Sequence, residues 1–148
     1  MKIQESLLLV PRSRYHLNSA PRQNAKFNIT IPQQIKTRSI PAYLESILHN
    51  VINNALKYGV NPEKPLINID VQKMGDVLQI KIRDYGSGID LNEYGDRLFD
   101  LGSRFSTESE GEGLGLFMSK RQIEVLGGKL ELKSQPQKGT EVKIILNA

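Results

Sequence analysis

The strongest pattern in the chain is an apolar stripe at helical spacing in the segment SIPAYLESILHNVINNALKYG, residues 39–59. Apolar residues recur there every three or four positions, which predicts a helix with one face against a core. The residues of the stripe are Leu44, Ile47, Leu48, Val51, Ile52, Ala55 and Leu56. Ser39 is a suitable N-cap, Pro41 fits the first turn, and Gly59 is placed to end the helix.

Elsewhere, apolar and polar residues alternate in the way that is typical of half-buried strands. The strand segments are KFNITI, LINIDVQ, VLQIKIRD, KLELKSQ and EVKIILNA, with hairpin turns predicted at KMGD and PQKGT. A second helix is predicted in LGLFMSKRQIEVLGG, where Gly127 or Gly128 ends it. This mixture predicts an α+β fold, a two-layer sandwich in which a mixed, largely antiparallel sheet carries the helices on one face.

Composition indicates one globular domain and excludes several other classes. The 148 residues are 39% hydrophobic and 24% charged, which suits a single core. The sequence has no apolar run that could span a membrane, and SLLLV is too short for a signal-peptide core. Cysteine is absent, which rules out disulfides and thiolate metal sites. The net charge of +4 fits either a solvated basic surface or affinity for an anion such as a nucleotide.

The strand VLQIKIRD ends in Asp84, which also opens the segment DYGSGID. Asp84 has the same parity as the alternate apolar residues of the strand, so its carboxylate is expected on the apolar face. A buried carboxylate without a partner is costly. Either Asp84 caps the next turn or lies in water beyond the strand, or it accepts a hydrogen bond from a ligand. If Asp84 accepts from a ligand, Gly86 and Gly88 would let that ligand approach the backbone.

A polar strip follows one edge of the apolar stripe. Asn50, Asn54 and Lys57 have i, i+4, i+7 spacing and so share one side of the predicted helix. Asparagine is a poor helix former in a helix interior, and amide oxygens beside a lysine suit a hydrated Mg²⁺ ion with phosphate oxygens. A solvated polar face is the other interpretation of this spacing.

The segment GEGLGLF, residues 111–117, places glycines at alternate positions directly before the second helix. Backbone N–H groups exposed at a helix N-terminus form a cradle for phosphate. The segment lacks the Lys-Ser/Thr pair of a P-loop, and no strand immediately precedes it as in the dinucleotide fingerprint. A flexible linker before a helix is the alternative.

Together these motifs resemble the catalytic ATP-binding domain of sensor histidine kinases, in the GHKL superfamily with the Bergerat fold. LHNVINNALKY is similar to the N box, DYGSGID to the first glycine box and RLFDLGSRF to the phenylalanine box. GEGLGLFMSKRQIEVLGGKLEL is similar to the second glycine box with its helix, and KGTEVKIIL to the closing hairpin. The resemblance covers residues 27–146 and implies a domain of two-component signal transduction that uses ATP and Mg²⁺.

The resemblance implies how the base of ATP would be held. Asp84 would accept a hydrogen bond from the adenine amino group, and Gly86 and Gly88 would let the backbone turn beneath the nucleotide. Thr140 would lie near the adenine. Tyr85 departs from the family, which usually has Asn at this position.

The resemblance also implies how the metal and the phosphates would be held. Asn54 would bind Mg²⁺ with the help of Asn50, and Lys57 and Tyr58 would reach phosphate or ribose. Asn50 and Lys57 are therefore the residues expected to act in catalysis.

Residues 91–112 would form an ATP lid anchored by Phe99. The end of the lid would lie against the phosphates, and the residues implied there are Gly111, Gly113, Leu114 and Gly115. Glu112 departs from the commoner Thr, Arg or Lys, and an acid beside the phosphates would tend to weaken binding.

The two histidines, His16 and His49, lack the sequence context of a phosphoacceptor box. We therefore expect an ATP-binding catalytic domain at residues 26–148, after a lead-in at residues 1–25 that follows absent dimerisation helices. The expected partners are a dimerisation domain with the phosphoacceptor histidine and, indirectly, a response regulator. No contact with nucleic acid is expected, because basic residues are scattered and aromatic residues are 6%. No contact of this domain with a membrane is expected either. The isolated domain is expected to be a cytoplasmic monomer that binds ATP with little turnover, even where the parent kinase is anchored in a membrane.

Three alternatives stay open. A freestanding GHKL serine kinase and the chaperone, topoisomerase and mismatch-repair ATPases share the fold, but they place a Glu where this chain has Asn50. The third alternative is a nucleotide-sensing interaction module without transfer activity.

Overall fold

The computed structural model describes residues 25–31, 41–58, 60–88, 90 and 114–147 of the chain. Seven elements follow one another in these residues. They are strand β1 (Lys26–Thr30), helix α1 (Pro41–Tyr58), strands β2 (Leu66–Met74) and β3 (Val77–Asp84), helix α2 (Leu114–Val125) and strands β4 (Lys129–Gln135) and β5 (Gly139–Asn147). Both predicted helices and all five predicted strands are thereby confirmed.

The five strands form one sheet in the order β1-β2-β3-β5-β4. Strand β1 pairs parallel with β2, and the other three pairs are antiparallel. The mixed, largely antiparallel sheet is therefore as predicted. Strand β5 lies between β3 and β4, so the last strand of the chain becomes the neighbour of the strand that ends in Asp84.

One face of the sheet and the two helices enclose the core. All seven residues of the α1 stripe are buried, and α1 packs on α2 and β3. The sheet contributes its alternate residues, namely Ile67, Ile69, Val71, Leu78, Ile80, Ile82, Val142, Ile144 and Leu146. Since burying a Leu or Ile side chain contributes about 1.5–3 kcal/mol, this shared core holds the helices to the sheet and confirms the two-layer α+β sandwich.

The end of α2 shows why a glycine follows it. The Gly128 N–H donates to the carbonyl of Ile123 at 2.9 Å, and the Gly127 N–H donates to the carbonyl of Glu124 at 3.0 Å. These are the two hydrogen bonds of a Schellman cap. Gly127 has a φ of +74°, which a residue with a side chain adopts at a cost. No helix among the described residues has the length and apolar character needed to cross a bilayer.

Candidate functional site

Asp84 is the last residue of β3 and lies on the face that the helices cover. It is 8% exposed, and its register partner on β2 is the buried Ile67. The placement predicted from the alternation of the strand is thereby confirmed, because the carboxylate continues the buried row of Leu78, Ile80 and Ile82.

Two backbone N–H groups hold one oxygen of this carboxylate. Oδ1 accepts from the Gly86 N–H at 3.1 Å and from the Thr140 N–H at 3.2 Å. Asp84 therefore does cap the turn that follows it, and since it is buried it does not lie in water beyond the strand. Its role as an acceptor for a ligand stays a prediction. Among the described residues, no group bonds to Oδ2, so this oxygen is the one able to accept from a ligand.

The surroundings of the Asp84 carboxyl group disfavour its charged form. Burial raises the pKa of Asp84 from 3.8 to about 6, while the hydrogen bonds from Gly86 and Thr140 and the charge of Arg83 oppose the rise. At neutral pH the group is therefore ionised but poorly solvated. A donor brought by a ligand would relieve this cost, and carboxylates perturbed in this way are frequent at functional sites.

The turn after Asp84 is packed against the turn between β4 and β5. The Gln137 N–H donates to the Ser87 carbonyl at 2.7 Å. Gly88 has a φ of +70°, and a Cβ there would collide with the carbonyl oxygen of Gln135. From the sequence, a ligand was expected to approach the backbone at Gly88, whereas in the structure the backbone of Gln135 occupies the space beside it.

Gly139 is a site residue that the sequence argument did not single out. Its φ is +104°, and a Cβ there would collide with the carbonyl oxygen of Asp84. The close approach of β5 to Asp84 therefore depends on the absence of a side chain at Gly139. Its position directly before Thr140 in the motif KGTEVKIIL was the signal that could have identified it.

Thr140 follows Gly139 on β5 and faces the same side of the sheet as Asp84. Its hydroxyl lies 2.8 Å from the Ser134 hydroxyl of β4, and the Ser134 Oγ donates to the Gly139 carbonyl at 3.0 Å. Thr140 thus contributes its backbone N–H to Asp84 and keeps its side chain in a second set of hydrogen bonds.

Tyr85, the departure from the usual Asn, points to the outer face of the sheet. Its hydroxyl accepts from the Asn68 Nδ2 at 3.1 Å. The Lys64 Nζ lies 3.8 Å from the ring centroid and the Arg83 Cζ 5.1 Å from it, both within the range of cation–π attraction. The substitution therefore leaves the helix-facing side of Asp84 unchanged.

The polar strip lies on α1 as the spacing predicted. Asn50, Asn54 and Lys57 are all half-buried, between the buried stripe and solvent. Among the described residues, no group of three or more His, Asp or Glu could hold a metal. The amide oxygens of the strip are of a kind that would suit Mg²⁺, because this ion prefers oxygen ligands, keeps several waters and takes substrate phosphates as ligands.

Several residues implied by the resemblance lie outside the described residues, namely Phe99, Glu112, Gly111, Gly113 and the lid at residues 91–112. Leu114 and Gly115 are the first two residues of α2, so the second glycine box does lead directly into a helix. Tyr58 is the last residue of α1. Asp84, Gly86, Gly88 and Thr140 are brought together by the contacts above, whereas the α1 strip forms a separate group.

Comparison with known proteins identifies the family of this chain. A sequence model of the histidine kinase-, DNA gyrase B- and HSP90-like ATPases matches residues 40–148. This chain belongs to that family. The match spans α1 and every later element, so it includes Asp84 and the α1 strip.

Curated relatives within the family include sensor proteins. Sensor protein SrrB of Staphylococcus aureus is 35% identical over 100 residues, 66% of this chain and 17% of the relative. Alginate biosynthesis sensor protein KinB of Pseudomonas aeruginosa is 30% identical over 103 residues, 70% of this chain and 17% of the relative. The Non-motile and phage-resistance protein of Caulobacter vibrioides is 29% identical over 134 residues, 87% of this chain and 16% of the relative. The chain thus spans less than a fifth of the length of these relatives.

A solved structure shows the same fold over nearly the whole chain. The mycobacterial sensor histidine kinase MprB aligns with a TM-score of 0.77 at 24% identity, covering 99% of this chain and 95% of that one. The chain is thus an ATP-binding domain of the histidine kinase-, DNA gyrase B- and HSP90-like ATPase family, with the fold of a sensor histidine kinase domain.

Proposed function

We propose that this chain is the ATP-binding catalytic domain of a two-component sensor histidine kinase. In this role it transfers the γ-phosphoryl group of Mg-ATP to a histidine on a separate dimerisation domain. The observation that carries the proposal is the buried Asp84 carboxylate, which has one oxygen fixed by two backbone N–H groups and the other able to accept from a ligand.

Asp84 accepts the adenine amino group through Oδ2, with Thr140 beside it on β5. Gly86 and Gly88 shape the backbone beneath the base. The hydrogen bonds from Gly86 and Thr140 supply the support for this assignment, because they fix the acceptor before the nucleotide arrives. A pre-fixed acceptor loses little freedom on binding, so more of the hydrogen bond contributes to affinity.

The α1 strip binds the metal and the phosphates. Asn54 holds Mg²⁺ with the help of Asn50, while Lys57 and Tyr58 reach phosphate or ribose. The ion, when bound, neutralises charge on the phosphate oxygens. Leu114 and Gly115 of the second glycine box, at the N-terminus of α2, lie against the phosphates.

Transfer breaks the bond between the γ-phosphorus and the β,γ-bridging oxygen and forms a bond from phosphorus to an imidazole nitrogen, with ADP as the leaving group. A neutral imidazole presents a lone pair without first losing a proton. A serine hydroxyl or a water needs a base, and Asn50 occupies the position where the serine kinases and ATPases would have one. The residue at this position therefore favours a histidine acceptor over the two enzyme alternatives.

The partner domain follows from this chemistry. The catalytic domain comprises residues 26–148, and the acceptor histidine lies on a separate dimerisation domain. A response regulator then takes the phosphoryl group from that histidine. The domain acts in the cytoplasm, and alone it is a monomer with little turnover.

Calorimetric titration with Mg-ATP tests the base assignment. Asp84→Asn keeps the shape of the side chain but replaces a charged acceptor, and a charge-assisted hydrogen bond is worth about 1.5–3 kcal/mol. We expect affinity to fall about ten- to a hundredfold. Asp76→Asn, at an exposed position in the β2–β3 turn, is the matched control and should bind like the wild type. Equal affinities for Asp84→Asn and the wild type would contradict the assignment.

Labelled ATP tests the reaction. With the dimerisation domain of the parent kinase added in trans, label should appear on a histidine of that domain, whereas the chain alone should release little phosphate. Rapid hydrolysis by the chain alone would instead indicate an ATPase of the same family.

A further inference from the structure

Three polar side chains form a row across the end of the sheet. Asp84 on β3, Thr140 on β5 and Ser134 on β4 are neighbours, since Ser134 pairs with Thr140 and the Thr140 N–H bonds to Asp84. All three face the helices, where the next row inward is apolar and consists of Ile82, Val142 and Leu132. At the place where the base is expected, these three polar side chains therefore stand in positions that apolar side chains fill further inward, and they are joined by hydrogen bonds.

The direction of the hydroxyl protons in this row follows from its bonds. The Ser134 Oγ donates to the Gly139 carbonyl at 3.0 Å, and a carbonyl oxygen can only accept. Ser134 has one proton, so in its 2.8 Å contact with the Thr140 Oγ1 it must accept. Thr140 therefore gives its proton to Ser134, and its own oxygen presents lone pairs to anything else that approaches.

The Asp84 carboxylate and the Thr140 hydroxyl are therefore both acceptors, and they lie on neighbouring strands and on the same face of the sheet. We propose that Ser134 is a positioning residue that determines base specificity, because it accepts the Thr140 proton and so makes the Thr140 oxygen an acceptor toward the ligand. Such a pair takes a base edge that carries an amino group, directly or through a water, and disfavours an edge that carries a carbonyl oxygen. This inference rests on the proposed function, in which the ligand is ATP.

Inosine triphosphate is a probe of this effect, since its base edge carries a carbonyl oxygen in place of the 6-amino group of ATP, together with a proton on N1 that adenine lacks. In the wild type, both acceptors oppose that carbonyl. In Ser134→Ala the Thr140 hydroxyl loses its acceptor, can rotate, and can donate to the carbonyl. We expect the ratio of ATP affinity to inosine triphosphate affinity to fall about three- to tenfold, the value of one neutral hydrogen bond.

Further variants separate this role from a structural one. Ser134→Thr retains the hydroxyl and should keep the wild-type ratio. Thr140→Val should lower the ratio by itself, and adding Ser134→Ala to Thr140→Val should lower it no further, because Ser134 acts through the Thr140 hydroxyl. Thr30→Ala, which removes an exposed hydroxyl from the far edge strand β1, should leave the ratio unchanged.

The outcomes distinguish the two proposals. A wild-type chain that does not bind ATP overturns both the function and this inference. A wild type that prefers ATP, together with a Ser134→Ala variant that keeps the same ratio, overturns this inference alone. A further fall in the ratio when Ser134→Ala is added to Thr140→Val also overturns it. Should Ser134→Ala not fold, Ser134→Cys gives the same test, since a thiol is a weak acceptor.

Discussion

The base end and the phosphate end of the proposed site differ in the number of elements that build them. At the base end Asp84 comes from β3, Thr140 from β5 and Ser134 from β4. Hydrogen bonds of 2.8–3.2 Å join the three residues into one network.

At the phosphate end, Asn50, Asn54 and Lys57 all come from α1. Their side chains are half-buried and lie one helical turn apart, on the margin of the buried stripe. This end needs only a helix of the right length and spacing, whereas the base end exists only when the sheet has formed.

The difference matches what each end must recognise. A base is uncharged and offers few polar atoms, so selecting it requires acceptors that are fixed and shielded from water. Phosphates and Mg²⁺ are charged, their interactions act over longer distances, and the ion retains water. A half-exposed strip would therefore suffice at the proposed phosphate end.

The largest effect is expected from Gly139→Ala. The new Cβ would collide with the Asp84 carbonyl, and a φ of +104° is unfavourable for alanine. We expect the free energy of unfolding, measured with denaturant, to fall by about 3 kcal/mol and ATP binding to be lost. Gly75→Ala is the control, because Gly75 also has a positive φ, +59°, but has nothing within 4 Å of the added Cβ. That variant should lose about 1 kcal/mol and bind ATP normally. Equal effects of the two variants would mean that the contact between β5 and Asp84 is not important.

Asp84→Asn is expected to stabilise the chain in the absence of nucleotide. The pKa of Asp84 is about 6 in the folded chain against 3.8 as its ordinary value, so the folded state binds the extra proton between these pH values. Stability from this group is therefore present at low pH and is lost as pH rises from about 4 to 6. The loss at pH 7 is about 3 kcal/mol.

Thermal unfolding from pH 4 to 7 measures this effect. The variant should unfold at a higher temperature than the wild type at pH 7, and the gap should close toward pH 4. A variant that is less stable than the wild type at pH 7 would indicate a structural carboxylate and not one held for a ligand.

Asn54→Ala tests the phosphate end. Losing one amide ligand should reduce the dependence of ATP and ADP affinity on Mg²⁺ by a few-fold, or about 1 kcal/mol, with little change in stability. Asn53→Ala is the matched control on the same helix, because adjacent residues do not share a helix face. If both variants keep the wild-type Mg²⁺ dependence, the strip is a solvated surface.

The smallest effect is expected from Tyr85→Phe. The change removes the hydroxyl that accepts from Asn68 but keeps the ring beside Lys64 and Arg83. We expect a loss of stability of at most about 1 kcal/mol and an unchanged ATP affinity in calorimetry, since the side chain lies on the outer face of the sheet. A large loss of affinity would show that the outer face is coupled to the base end.

The local pattern of the sequence determined the elements and their faces. The stripe from Leu44 to Leu56 is buried on α1, and the parity of VLQIKIRD placed the Asp84 carboxylate on the covered face of the sheet. Periodicity is sufficient for this purpose, because it reports which side of a helix or strand meets the core.

The tertiary structure alone decided which strands are neighbours. The insertion of β5 between β3 and β4 brings Thr140 and Ser134 beside Asp84, and it gives Gly88 and Gly139 their close contacts. Alternation within a strand carries no information about its pairing partner, because the partner depends on contacts between segments far apart in the chain. The grouping of Asn50, Asn54 and Lys57 could therefore be predicted from the spacing of one helix, whereas the hydroxyl network around Asp84 could be identified only in the folded sheet.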